Sequence, residues 1–194
     1  QYDDETWMER WGDSGFLGHR AIAQVDALLL ARMADRDVLP LDEANLAQYL
    51  GALVKGIEAR AAKADWRIDS SELRRAITAM YGAALGFANV RDAGMASHDR
   101  KGVEAALAEA NRYLRQSEMA LTRPEGLAGR PWFRNLMFAA DRDNGYADIA
   151  LPGIAEALED KDRTRFDHEV ADLAARVARS AELLRQATAA LARR

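Results

Sequence analysis

Between Leu46 and Ala61, the apolar residues Leu46, Leu50, Leu53, Val54, Ile57 and Ala61 return at steps of three and four. That period belongs to a helix with one buried face. Asp42, just ahead of the run, is a good N-cap. The same signature recurs along most of the chain, and no run alternates at period two. The expectation is an all-α fold without a sheet.

Asp13-Ser14 can cap an earlier helix running to about Asp35. Its Ile22, Val25, Leu28, Leu29, Leu30 and Met33 spread around the cylinder, and a helix apolar on several sides is normally buried on several sides. Val38-Leu39-Pro40 ends it, because proline cannot continue a helix. Asp65-Trp66-Arg67-Ile68 is a short link. Asp69-Ser-Ser-Glu72 has capping-box spacing, followed by one face of Leu73, Ile77, Met80, Tyr81, Ala84, Phe87 and Val90. Gly82 and Gly86 lie beside that face and permit close helix approach. A fourth helix runs from about Asp99 to Leu121. A last one begins near Thr164 and carries Phe166, Val170, Leu173, Val177, Leu184 and Leu191. With a shorter helix at Ile154–Leu158, this predicts an up-and-down bundle of about five long helices.

Residues 122–153 break the pattern as one irregular segment. Thr122-Arg123-Pro124-Glu125-Gly126 stops the fourth helix. Arg130–Ile154 then sets Trp132, Phe133, Phe138 and Tyr146 beside a turn-forming Asp143-Asn144-Gly145 and closes on Leu151-Pro152-Gly153. Core packing is expected for Trp132, Phe133 and Phe138. Asn144-Gly145 reads as a tight turn, since this pair tolerates positive φ.

Composition removes whole classes of function. The chain has no cysteine, so thiol catalysis, disulfides and Cys-based zinc sites are excluded. A net charge of −4 argues against a broad phosphate-binding surface, and no nucleic-acid partner is expected. Lysine occurs only at Lys55, Lys63, Lys101 and Lys161, so arginine carries the basic charge. Its interleaving with Asp and Glu reads as a solvated face. No apolar run approaches the ~20 residues that span a bilayer, and no membrane contact is expected. The start Gln1 to Asp13 reads like the interior of a longer protein.

The motifs for metal and nucleophile chemistry fail one by one. His19, His98 and His168 have no partner at HExxH spacing, and no Glu-x-x-His pair occurs. His19 reads as a packing or hydrogen-bonding residue. Asp141-x-Asp143-x-Gly145 imitates the start of a calcium loop, but the twelfth position is Pro152 where a Glu is needed. There is no G-x-S-x-G, Walker loop or dinucleotide fingerprint. The residues describe a helical domain with no catalytic residue, metal site or cofactor of its own.

Two blocks resemble a known family. The first is Trp7-Met8-Glu9-Arg10-Trp11-Gly12-Asp13-Ser14-Gly15-Phe16-Leu17-Gly18-His19, continuing through Ala23-Gln24 to Leu39-Pro40-Leu41-Asp42. The second is Arg130-Pro131-Trp132-Phe133-Arg134, then Asn144-Gly145-Tyr146, then Leu151-Pro152-Gly153-Ile154. Together, in this order, they resemble the C-terminal helical dimerisation domain of the transferrin receptor and glutamate carboxypeptidase II family.

The resemblance implies one helical dimerisation domain over residues 1–194, with 1–12 as a linker from a preceding peptidase domain. It implies a homodimer, a zinc-dependent exopeptidase parent of carboxypeptidase or aminopeptidase type, and zinc held by that parent just upstream of a segment like Tyr2-Asp3-Asp4. By the same analogy the parent is secreted, periplasmic or membrane-anchored. It also implies that residues 141–153 reach the parent's substrate pocket, where the family's Asn-Lys-Tyr run matches Asn144, Gly145 and Tyr146. Gly145 stands where the lysine would hold a substrate carboxylate, so glutamate-type specificity is not expected. The alternative from the residues alone is a stand-alone helical scaffold unrelated to peptidases.

Overall fold

The computed structural model describes residues 4–95 and 103–193, the side chains of 94 and 95 excepted. His98 and the expected start of the fourth helix near Asp99 lie outside the described residues. The chain falls into two compact units, Gln1–Pro40 and Leu41–Arg194.

In the first unit, the short helix α1 (Glu5–Trp7) runs into a π-helical turn at Met8–Gly12 and a 3-10 turn at Ser14–Phe16. Helix α2 (Leu17–Ala34) follows. Asp13 caps it from a distance, its carboxylate accepting the Gly18 and His19 N–H groups at 2.9 and 2.8 Å. The His19 ring meets the same carboxylate at 2.6 Å and Phe16 edge-on, as expected of a hydrogen-bonding histidine. These contacts hold the Asp13 carboxyl down to about 2, the Gly18 amide first among them. The expected burial of α2 is not found: none of its residues is buried.

The second unit is the bundle. Helix α3 (Glu43–Lys63) is capped by Asp42, which accepts the Asn45 N–H at 2.9 Å, and buries Ala47, Leu50, Val54, Ile57 and Ala61. Helix α4 (Ser71–Met95) follows the Asp65–Ser70 link, with Asp69 accepting the Ser71 N–H at 2.9 Å. Helix α5 is Val103–Met119. Helix α7 (Arg163–Ala192), capped by Asp162, is the axis of the unit. It packs on α4, α5 and the short helix α6 (Pro152–Glu159), while α3 packs on α4. Its buried Phe166, Leu173, Val177, Leu184 and Leu191 are those marked by the helical period.

Three expectations are corrected. Residues Phe138–Ala140 (β1) and Asp148–Ala150 (β2) form an antiparallel ribbon, Phe138 opposite Ala150. Strands of three residues are too short to display a period of two. Trp132 is 70% exposed and Phe138 stacks on Tyr49 at the surface, so the segment's core comes from Leu127, Leu136, Met137 and Ala139 instead. A Cβ built on Gly82 or Gly86 would meet nothing within 4 Å, so among the described residues no neighbour makes a close approach there.

Candidate functional site

The irregular segment is pinned by arginines whose partners lie far away in sequence. Arg123 is buried against α7. Its two terminal nitrogens each bond one oxygen of Glu169 at 3.0 Å, and its Nε bonds the Gly126 carbonyl at 3.0 Å. Asp172 sits 3.2 Å from the same guanidinium and also receives Arg176, which reaches the Thr122 carbonyl. Gly126 turns at φ +68°, where a Cβ would overlap the Pro131 carbonyl. Arg130 pairs with the buried Glu156 of α6 and donates to the Ala140 carbonyl at 2.6 Å, which fixes the end of β1. The solvated-face reading of the arginines fails for Arg123 and Arg130, because each has a buried carboxylate as partner.

The tip of the ribbon, residues 141–147, closes on itself. The Asp141 N–H donates to the Ala147 carbonyl at 2.7 Å, and the Gly145 N–H to the Asp141 carbonyl at 3.0 Å. The Asp141 carboxylate accepts the Asp143 and Asn144 N–H groups at 2.8 and 3.0 Å. Those bonds, Asn144 first, hold its carboxyl below the usual range. Asn144 Oδ1 accepts the Tyr146 and Ala147 N–H groups at 2.8 and 3.0 Å. Gly145 sits at φ +71°, the left-handed turn expected of Asn-Gly.

The tip is also tethered. Arg142 clasps Asp160 with two bonds of 2.8 and 2.6 Å, and Arg165 of α7 meets the same carboxylate at 2.5 Å. The two arginines drive the Asp160 carboxyl far below its ordinary value, Arg142 more than Arg165.

Asn144, Gly145 and Tyr146 are thus brought together at one place. Their chemistry is unequal. Asn144's oxygen and Gly145's amide are engaged inside the loop, and Tyr146 projects with 98% of its surface exposed. Arg123, Glu169, Arg130 and Glu156, which fix the segment, carry no local sequence signal that would have marked them. The surface clefts of 610, 480 and 380 Å³ around the α3–α4 link contain no residue of Phe138–Ala150.

Among the described residues, no three His, Asp or Glu side chains gather to hold a metal. The zinc implied by the resemblance therefore finds no fitting donor set there. Among those residues no helix is long and apolar enough to cross a membrane.

The architecture is that of a helical bundle domain carrying a tethered, aromatic-tipped ribbon. A family model of the transferrin receptor-like dimerisation domain matches residues 68–185, and the chain belongs to that family. A probable glutamate carboxypeptidase of Arabidopsis thaliana is 31% identical over 160 residues, which is 81% of this chain and 22% of the relative. One from Arthroderma benhamiae is 31% identical over 169 residues, 84% of this chain and 22% of the relative. One from Zea mays is 29% identical over 192 residues, 94% of this chain and 26% of the relative. The chain spans about a quarter of the length of these curated relatives.

Proposed function

We propose that this chain is the homodimerisation domain of a glutamate-carboxypeptidase-like zinc exopeptidase, and that residues 141–153 contribute to that parent's substrate pocket. Membership of a dimerisation-domain family carries the first half. Tyr146, held outward on an internally bonded ribbon, carries the second. A side chain that packs against nothing in its own domain, on a loop bonded throughout, is suited to meet something outside it.

The bundle offers an outward surface for a second copy. On α4, Gly82 and Leu85 are exposed, and the space above Gly82 and Gly86 is open. A partner backbone can approach closely there, and two-fold pairing is the commonest symmetry for such contacts. Stable interfaces of this kind commonly bury more than ~2,000 Å².

Helix α2 is assigned to the parent's peptidase domain. Ile22, Val25, Leu28, Leu29, Leu30 and Met33 are each at least 50% exposed. With Leu17 they cover roughly 220° of the cylinder at ~100° per residue, and alanines fill much of the remainder. A helix apolar on several sides needs cover on several, which a domain packed around it supplies; the rival cover is the second copy. The peptidase domain, and the zinc it holds, would be the preceding part of the same polypeptide.

Light scattering across about 1–100 μM chain tests the assembly. A mass of two chains is expected, and a single-chain mass throughout would overturn it. In the longer protein, Tyr146→Phe should raise KM or lower kcat on peptide substrates, and unchanged kinetics on several peptides would count against the pocket role.

A further inference from the structure

We infer that Asn144 is a positioning residue for Tyr146 and not itself a substrate contact, with Arg142 and Asp160 as the tether that fixes the tip. This rests on the reading that residues 141–153 enter a substrate pocket.

The three residues at the tip divide the work by what their polar atoms already do. Asn144 Oδ1 accepts two N–H groups, those of Tyr146 and Ala147, at 2.8 and 3.0 Å. A carbonyl oxygen has two lone pairs, so this acceptor is fully engaged. The Gly145 N–H, the one group that glycine could extend to a ligand carboxylate, donates to the Asp141 carbonyl at 3.0 Å. Tyr146, at 98% exposure, keeps ring and hydroxyl outward.

Two consequences follow for the ligand. The tip's own cation, Arg142, is bound by two bonds to Asp160, which Arg165 also holds. The tip therefore presents a phenol and no uncommitted guanidinium of its own. It offers a substrate group one hydroxyl donor, and a carboxylate there would meet no free cation of the tip. A backbone tied at residues 141, 143, 144, 145, 146 and 147 also gives the Tyr146 Cα little freedom, so the point from which the side chain leaves the loop is fixed.

Asp141 supplies an internal precedent for the test. Its carboxylate accepts two successive backbone N–H groups just as the Asn144 amide oxygen does. An aspartate at 144 should therefore keep the geometry while losing the amide NH₂.

Amide exchange by NMR on this chain reads the positioning directly. The Tyr146 and Ala147 amides should exchange about three- to tenfold faster in Asn144→Ala, and at the parent rate in Asn144→Asp. In the longer peptidase-like protein, Asn144→Ala should lower kcat/KM by the same factor as Tyr146→Phe. Asn144→Asp should restore it to within about threefold, and Asn144→Ala combined with Tyr146→Phe should be no worse than either alone. Amide exchange indifferent to Asn144→Ala would overturn the positioning role whatever the kinetics. Activity lost in Asn144→Asp while its amides stay protected would make Asn144 a direct contact and overturn it too. Unchanged kinetics in Tyr146→Phe would instead sink the pocket reading, a separate failure.

Discussion

Arg123 and Glu169, 46 residues apart, face each other in a two-bond pairing at 3.0 Å per bond, both nearly removed from solvent. The pair fastens the irregular segment to the central helix, and α6 closes over it. A Cβ on Gly153 would overlap the Glu169 carboxylate. Removing one member strands the other's charge in a dry site, which typically costs 3–5 kcal/mol. Arg123→Met is expected to lower the unfolding free energy by about that amount. Gly153→Ala should lower it by about 1–3 kcal/mol, by pushing the carboxylate off its partner. Urea titration followed by circular dichroism measures both. A loss under about 1 kcal/mol for Arg123→Met would mean the pair is not what holds the segment.

Glu43 should make the bundle's stability depend on pH in the opposite direction to Asp69, Asp141, Asp160 and Glu182, whose carboxyls are lowered. One oxygen of this buried carboxyl accepts the Ser117 hydroxyl at 3.0 Å, and the other has no partner. Burial pushes the carboxyl above its usual value; Ser117 pulls it back in part, and the nearby Glu118 and Asp42 push it up further. An acid raised in the folded state stabilises below its unfolded-state value, and that contribution is lost as pH rises through the folded one. Above the unfolded-state value the group therefore costs stability relative to acid pH. Glu43→Gln should stabilise the chain by about 1 kcal/mol at pH 7 and by less at pH 4. Equal effects at the two pH values would count against a raised value.

Asp13 should behave the other way. Its carboxyl, depressed from 3.8 to about 2, favours folding above the unfolded value, and that contribution disappears as pH falls through about 2. Asp13→Asn should loosen the start of α2, seen as faster exchange of the Gly18 and His19 amides. Unaltered exchange at both would show that the cap is dispensable.

How much of this was legible in the residues depends on distance along the chain. The apolar face of Leu50, Val54 and Ile57 marked α3 because helical periodicity is local, and the same holds for α7 from Phe166 to Leu191. The turn at Asn144-Gly145 was legible for the same reason: its bonds span two or three residues. Arg123 and Glu169 were not, since nothing local distinguishes a buried arginine from a solvated one. Trp132 and Phe138 looked like core because aromatic bulk usually is. The segment instead buries Leu136 and Met137, and leaves Phe138 to stack at the surface on Tyr49. For α2 the residues call for burial on several sides, whereas its large apolar side chains stand exposed.

Restoring a cation at Gly145 should change what the tip prefers. Gly145→Lys places a side chain at φ +71°, where an L-residue costs roughly 1–2 kcal/mol. It also adds a charge-assisted contact of about 1.5–3 kcal/mol toward a carboxylate. In the longer protein, kcat/KM for peptides ending in an acidic residue should rise about tenfold relative to neutral ones, while the chain melts at a lower temperature. An unchanged preference would place the tip away from the substrate's terminal group.

The two exposed apolar surfaces should separate under substitution. If α4 carries the contact between copies, Gly86→Arg fills the open space above that helix and should reduce the assembly to a single-chain mass. Val25→Glu with Leu29→Glu on α2 should leave the mass at two chains, because α2 is assigned to the peptidase domain. The same double change should make this chain more soluble, by removing apolar area from water. In the longer protein it should be severely destabilising, since two buried carboxylates would then lack partners. Sedimentation equilibrium on the variants decides it. A double α2 variant that sediments as one chain would place the dimer contact on α2, and the peptidase-domain assignment of that helix would fall.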